Sequence, residues 1–559
     1  MSDAWSTLGF DENAKDEAQR AFDLSGSLSQ ERRLWIEAHY RETMHEWDRA
    51  SQIYSALLEF FPDNIDYGLR VVSTQLKAGQ TKEAQATIDR LRALPPPLRD
   101  DPRIDLKDVR ASSGSRSQES LLRAITKSQA SGNSVLLAQG LILRSESERN
   151  VGDSAAALAD LKQAKDLFQA AGDKNGMADV MYNIAGVHWM HGDRTEAQKA
   201  GEASLSLYRE TGDKEGIARG LSVLALSLMD QGDLAGAERD LTEALAICRE
   251  IRFKRFEINI LNNLSNVLAD EGELERARGM EQEVLGMYRQ AKDTGGVAMA
   301  SDNIAEILFW EGDLPGAERL CRRALKSSDP HSYTIFDAGL FGTLGEIQLA
   351  QGKLNEAKRT IEQSKAIDKK LVLAREEAVN QMLLARLAME DAHPVEGEQL
   401  TRKAEQTFSA VKAPHMARYA NALLALSLAQ QGKAAQAREM LSRVLPLPEK
   451  SIGPDVRLPL ILAAAGALVL TGADSQPDDL NQARQLAAAV LAESSKRGYV
   501  GFGYEARLRL AQIEMVSCNG DAVQQLATLE RETQAKGYGL IAVSAVRSRQ
   551  NGLAVATCH

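Results

Sequence analysis

His188 and His191 stand three residues apart, a spacing at which one helix face can turn two imidazoles toward a metal ion. A metal site needs more ligands than two, and no further His, Cys or carboxylate follows at a helpful interval. His188 falls at a core-facing position and His191 beside a turn, so both read as structural. Cys248, Cys321, Cys518 and Cys558 form no C-x-x-C pair and read as buried or incidental thiols. The glycines of GYVGFG (498–503) follow no strand, so they are not expected to cradle a phosphate. The basic run RFKRF (252–256) reads as a solvated connector. Among 78 acidic residues no carboxylate pair sits in a pocket-like context, and in the tail after Gly472 no nucleophile stands beside a base. The expectation is therefore no catalysis, no metal and no cofactor. What remains is a set of amides. Asn183, Asn263 and Asn303 recur in one register. Asn is a middling helix former, so its repetition at a helical position calls for a reason.

Composition narrows the classes further. The chain has 559 residues, 44% hydrophobic and 26% charged, which is too apolar for disorder. Its 67 basic residues face 78 acidic ones, a net charge of −11 that disfavours a polybasic nucleic-acid surface. Four cysteines in a chain of this length make no disulfide framework. The N-terminus lacks a basic segment followed by an apolar run, so no secretory signal is read. The longest apolar stretch, Leu458 to Ala473, contains Pro459 and falls short of the roughly 20 residues that span a bilayer. It is expected to be a buried helix, and the protein to be cytoplasmic.

The elements that position the amides follow from a repeat. Gly152, Gly192, Gly232, Gly272, Gly312, Gly352, Gly432 and Gly472 lie in phase, 40 residues being the period, with one slot missed at Ala392. Five residues after each slot stands a small residue: Ala157, Ala197, Ala237, Ala277, Ala317, Ala357, Gly397 and Ala437. Each unit reads as two helices. In 218–257, Leu221, Leu224, Ala225 and Leu228 make one helical face, and Ala237, Leu241, Ala244 and Leu245 make another. Gly232 ends the first helix, because the residue after the last turn adopts positive φ. Asp233 is placed to cap the second. The alanine column lets the two helices approach closely. One such pair cannot bury its own apolar face, but stacked pairs can, which predicts an all-α solenoid of about a dozen units. A thin core of Leu and Ala also accounts for the 5% aromatic content.

Toward the N-terminus the spacing shortens. Ala50 and Ala84 are 34 residues apart, Pro62 ends the first of these units, and Pro95–Pro97 ends the block. The expected organisation is a 34-residue block over 1–98, a joint and degenerate repeat over 99–137, the regular 40-residue array over 138–472, and divergent repeats with a tail over 473–559. The joint itself is placed at the polar stretch 99–117. After Gly472 the insertion ADSQPDDLNQ delays the small-residue column to Ala483, and Gly520 is out of phase.

These features resemble tetratricopeptide repeats across roughly 30–545. The 34-residue units carry the small central residue and terminal Pro of that family. The units with GDKNGMA (172–178) and GDKEGIA (212–218) resemble the 40-residue repeats of Leu-Gly-Asn repeat scaffolds and kinesin light chains. The segments 31–72, 90–106 and 536–542 resemble the repeat-built sensor half of bacterial proteins whose other half is a Ser/Thr protein kinase or a winged-helix regulator. No glycine-rich loop with its Lys, no HRD and no DFG is present in the sequence, so the resemblance implies no catalysis here. The opening segment reads as a second helix lacking a complete first helix, which leaves a stand-alone homologue, a split gene product or a fragment of such a protein.

With the turn glycine numbered 15, the resemblance implies that positions 2, 5, 6, 9, 12 and 13 face a concave groove. Near the centre of the array these are Tyr182, Asn183 and Trp189, then Asn259, Asn262, Asn263 and Asn266, then Asp302, Asn303, Glu306, Phe309 and Trp310. An amide both donates and accepts, so the Asn column can clamp an extended peptide backbone or bond neighbouring helices within the solenoid. The NNL at 262–264 is similar to the kinesin light chain pattern and implies the first use. Trp189, Phe309 and Trp310 suit peptide side chains or packing between units. The expected function is a non-catalytic scaffold for a peptide or protein partner, with self-association possible and no nucleic acid contact. The other expectation is a sensor or regulatory region of a bacterial signalling protein whose effector domain lies outside this chain.

Overall fold

The computed structural model describes residues 2, 11–191, 193–331, 333–446, 452–472, 477–517 and 521–555. Gly192, Cys518, Gly520, Cys558, part of the opening segment and the start of the 473–482 insertion lie outside the described residues. Secondary structure among the described residues is helical, with no strand. The chain divides into two compact units, 1–263 and 264–559.

In the N-terminal unit the helices are α1 (Asp11–Asp23), α2 (Gln30–Thr43), α3 (Trp47–Phe60), α4 (Ile65–Lys77), α5 (Thr81–Arg92), α6 (Pro102–Ala111), α7 (Gly114–Ala130), α8 (Ser134–Asn150), α9 (Ser154–Ala171), α10 (Lys174–His191), α11 (Arg194–Thr211), α12 (Lys214–Gln231) and α13 (Leu234–Glu250). Helix α14 (Lys254–Glu271) contains the division. The C-terminal unit continues with α15 (Leu274–Ala291), α16 (Thr294–Glu311), α17 (Leu314–Ser327), α18 (Ile335–Ala350), α19 (Leu354–Leu371), α20 (Ala374–Glu390), α21 (Pro394–Ala410), α22 (Pro414–Gln430), α23 (Ala434–Val444), α24 (Pro454–Gly472), α25 (Pro477–Arg497), α26 (Val500–Val516), α27 (Asp521–Ala535) and α28 (Gly539–Val555). From α8 onward the even-numbered helices are the first of each pair. The fold is an all-α solenoid.

Local chemistry explains the repeat. Turn glycines 152, 232, 272, 312, 352 and 432 have φ between 74° and 87°. Ala392 fills the missing slot in the same left-handed conformation, φ 61°. The next residue is an Asp in several units, and Asp153, Asp233 and Asp313 each accept a hydrogen bond from the third amide of the following helix. The alanines 157, 237, 277, 317, 357 and 437 are fully buried at the helix crossings.

A second turn column joins one pair to the next. Gly172, Gly212, Arg252, Lys292, Val372 and Lys412 all have positive φ. RFKRF is one of these turns, with Phe253 and Phe256 stacked at 5.4 Å. Beyond the turn, Gly176, Gly216 and Gly296 lie under the rings of Phe168, Tyr208 and Tyr288, where a Cβ would collide with the ring.

The polar stretch read as a joint carries ordered helices. Asp105 and Asp108 are buried, and Arg92 pairs with both at 2.6 Å. Lys127 reaches Asp105 at 2.8 Å and Arg116 reaches Asp108 at 3.1 Å. A buried carboxylate needs such partners, and here they lock α5, α6 and α7 together.

Helix α24 is long and apolar enough by composition to cross a membrane, but 72% of Pro454–Thr471 is buried inside the unit. Leu458, Leu460 and Leu462 are fully buried, as the sequence expectation for this stretch has it.

The C-terminal unit closes on itself. Helix α16 packs against α26, and α18 against α28. The turn glycines are the points of approach. A Cβ on Gly272 would lie 2.6 Å from Arg497 Cα, and one on Gly352 would lie 3.2 Å from the Gly539–Leu540 backbone. Tyr499, 1% exposed, donates its hydroxyl to the carbonyls of Ala269 at 2.7 Å and Asp270 at 3.1 Å, at the end of α14.

Candidate ligand-binding cavity

Closure of the C-terminal unit roofs the inner faces of its first helices and leaves a cavity of about 950 Å³. Its wall is built from one face of each helix. Positions 9, 12 and 13 supply Phe309 and Trp310 from α16, Glu346, Leu349 and Ala350 from α18, and Arg386, Met389 and Glu390 from α20. Position 9 of α22 and α24 is Leu426 and Gly466, and α26 and α28 add the opposite wall with Leu508, Arg509 and Arg547. Residues three and four apart share a helical face, so one register in successive pairs lines one lumen.

The lining is apolar with a charged belt. Arg386 donates to Glu346 at 2.9 Å. Burial works against the Arg386 charge, but Tyr419 and Glu346 outweigh it and raise its pKa. Burial pushes the Tyr419 phenol up to about 12. Glu390 accepts from Ser544 at 3.3 Å, and its backbone carbonyl accepts from Arg547 at 3.3 Å. Burial raises the Glu390 carboxyl, with Glu505 adding repulsion that Arg509 and Arg547 oppose. The Arg509 guanidinium lies 3.2 Å from where a Gly466 side chain would begin, so any larger residue there would displace it. Two buried donors of lining residues have no acceptor: Arg509 Nε and the hydroxyl of Tyr538. The space is thus an apolar pocket with donors and acceptors in place and two donors unmatched, within the roughly 300–1,000 Å³ typical of ligand sites.

The residues picked out from the sequence fall in several settings. Phe309 and Trp310 line the cavity, and Trp310 meets the Tyr499 ring edge-on at 5.5 Å. Asp302 and Glu306 stand on the same helix. Burial pushes Asp302 up to about 7. Glu306 is reached by solvent but ringed by protein, and that removal from bulk water, with repulsion from Asp455 and Asp302, puts it well above the carboxylate range. Asn303 bonds the buried carboxyl of Glu281. Asn266 is exposed.

In the N-terminal unit, Asn183 is buried and donates to the Asp179 carbonyl at 2.9 Å. Asn263 donates to Ser222 Oγ at 3.4 Å. Asn259 is exposed and Asn262 half-buried. Tyr182 is half-buried, and removal from water raises its phenol. Trp189 donates to Asp230 at 3.0 Å under the guanidinium of Arg194, 5.4 Å from the ring. His188 and His191 both reach Asp193 Oδ2, at 3.3 and 3.2 Å. Among the described residues no three His, Cys, Asp or Glu side chains group as a metal set. Cys248 and Cys321 are buried, and burial raises both thiols, Cys248 to about 12. GYVGFG forms the left-handed turn at Gly498 and the start of α26, with Gly501 against the Tyr538 ring.

Several lining residues escaped the sequence reading, among them Glu346, Arg386, Glu390 and Arg509. The signal for the first three was present. They occupy positions 9 and 13 of the next two repeats in the register that selected Glu306 and Trp310. Arg509 lies beyond the regular phase and had no such signal.

Residues 216–290 match the tetratricopeptide repeat family. No curated protein matches the sequence. Among solved structures, a Rap protein complexed with competence and sporulation factor is similar at 14% identity, covering 76% of this chain and 100% of that one with a TM-score of 0.41. The apo quorum sensor NprR from B. thuringiensis is similar at 13% identity, covering 61% of this chain and 97% of that one, TM-score 0.46. The Cut9–Hcn1 hetero-tetramer of the APC/C is similar at 13% identity, covering 95% of each chain, TM-score 0.47. The repeats within 216–290 are of the tetratricopeptide type.

Proposed function

We propose that this chain is a non-catalytic interaction scaffold and that its C-terminal unit holds a short peptide in the cavity roofed by α26 and α28. The observation that supports this most is the lining itself. One register of five first helices supplies apolar walls, while the Glu346–Arg386 pair, Glu390 and Arg547 supply polar partners for peptide amides. Apolar contact gives affinity and the few placed polar groups give orientation. Leu470 and Val516, both exposed apolar side chains of the lining, give the ligand an apolar rim to enter past. No reacting constellation accompanies these groups, so the ligand is bound and released unchanged.

The test is selection of a random hexapeptide library on the whole chain, followed by fluorescence anisotropy of the recovered peptides. Ala350→Trp fills the lumen. Recovered peptides should bind this variant at least tenfold more weakly while its melting is unchanged. Equal affinity for the filled variant, or no recovery of peptides, would reject the proposal.

A further inference from the structure

On the other side of the C-terminal unit, α15 and α17 flank a second cavity, of about 660 Å³. Its lining includes Arg278, Arg289, Arg319 and Arg323, against one carboxylate, Glu275. Arg278 is engaged by Glu311 at 2.6 Å. Arg289, Arg319 and Arg323 are exposed and have no carboxylate within ion-pair distance among the described residues. Three unpaired guanidinium groups line one cavity, an excess of positive charge that an anion complements.

The floor points the same way. Gly279 lies in the interior of α15 and lines this cavity. Gly286 lies two turns further along the same helix. A helical Gly destabilises a helix relative to Ala, so a stable helix keeps one for close packing or for open space. A Cβ at either position would meet nothing within 4 Å. No neighbour in the chain requires them to be glycine. Gly279, the one of the two in the lining, leaves room above the backbone of the cavity.

From this we infer that the crevice between α15 and α17 binds a small anion carrying two or more phosphate groups, with Arg289, Arg319 and Arg323 as its ligands and Gly279 as its floor. The guanidinium fork matches a phosphate edge with two parallel N–H donors, which a point charge cannot do. Three free cations set against Glu275 favour a ligand with more than one negative charge. This site is separate from the peptide cavity, and its failure would leave that reading untouched.

The probe is inorganic tripolyphosphate, titrated calorimetrically into the whole chain at low salt. Saturable one-to-one binding is expected, weakening steeply with added salt. R319Q/R323Q should weaken it at least tenfold, and the control R402Q should not. Gly279→Leu keeps every charge and improves helix propensity, so it should hold or raise the melting temperature while weakening binding at least tenfold. Three results would overturn the inference: no binding by the unmodified chain, unaltered binding by Gly279→Leu, or citrate binding as tightly as tripolyphosphate. The last would make the crevice a general anion patch without preference for phosphate.

Discussion

Closure of the C-terminal unit can be tested at a single atom. Gly272 and Gly432 are both turn glycines of this unit, with φ of 87° and 74°. Alanine at either position pays for the left-handed backbone, about 1–2 kcal/mol, and recovers about 0.4–1 kcal/mol by restricting the unfolded chain. That part is shared. The surroundings differ: nothing lies within 4 Å of a Cβ at Gly432, while a Cβ at Gly272 falls 2.6 Å from Arg497 Cα. Backbone cannot rotate away as a side chain can, so G272A must push the α25–α26 turn off the end of α14. Tyr499 bears most of that displacement. Its hydroxyl bond to the α14 carbonyls is worth about 0.5–1.5 kcal/mol. Its buried ring is worth roughly another 1.5–3 kcal/mol. G272A should therefore cost about 2–4 kcal/mol more than G432A. Urea titration gives the total, and hydrogen exchange locates it, with faster exchange confined to 497–503 in G272A. Equal stability and equal exchange in the two variants would refute self-closure through this turn.

Other perturbations follow from the same geometry. Glu281 is fully buried, and burial pushes its carboxyl to about 7 from 4.5. Between those values the folded state keeps a proton that the unfolded state releases, so this group's contribution to stability falls as pH rises through the window, by on the order of 2–3 kcal/mol. E281Q should remove that part of the slope in urea midpoints measured from pH 5 to 7.5. Asp108, held by Arg92, Arg116 and Ser120, should cost about 3 kcal/mol when replaced by Ala, because its cations are left uncompensated; thermal melting of the N-terminal unit reads this. Val372 is 86% exposed with φ 61°, so Val372→Gly gives up little burial and should stabilise the chain by about 0.5–1 kcal/mol in urea titration.

The solenoid was legible because one of its two turn columns is written in glycine. The 40-residue phase, the cap at Asp233 and the buried alanine column all follow from residue type. The second turn column was hidden. Arg252, Lys292, Val372 and Lys412 adopt left-handed backbone at the positions of Gly172 and Gly212. Their side chains are all exposed, and the surrounding helices fix the turn against local preference. The irregular linker at 252 has a similar logic: where other units set Tyr208 over Gly216, the same two slots hold Cys248 and Phe256, moving bulk from one helix to its neighbour.

The cavity was half legible. Phe309 and Trp310 came from the groove register, and extending it by two units reaches Glu346, Arg386 and Glu390. What the register could not show was the roof. Whether α26 and α28 return to α16 and α18 depends on a small rotation accumulated at every crossing, and no single residue encodes that sum. For the same reason Gly272, Gly312 and Gly352 read only as turn formers, although each also admits a segment of the C-terminal repeats. The asparagines show the converse limit. The family resemblance implied an inner helix face for them, but not their partners: Asn183 bonds the Asp179 carbonyl one turn back on its own helix, while Asn263 reaches Ser222 and Asn303 reaches Glu281 on other helices.

The most direct measurement uses the methionine methyl groups. Met389 and Met515 line the cavity, while Met280 and Met287 lie on α15, across the helix layer. In a methyl-labelled sample of the whole chain, adding a peptide recovered from the library should shift Met389 and Met515 and leave Met280 and Met287 in place. Binding that shifts the α15 methyls alone, or that shifts none of the four, would contradict a ligand held inside the closed C-terminal unit.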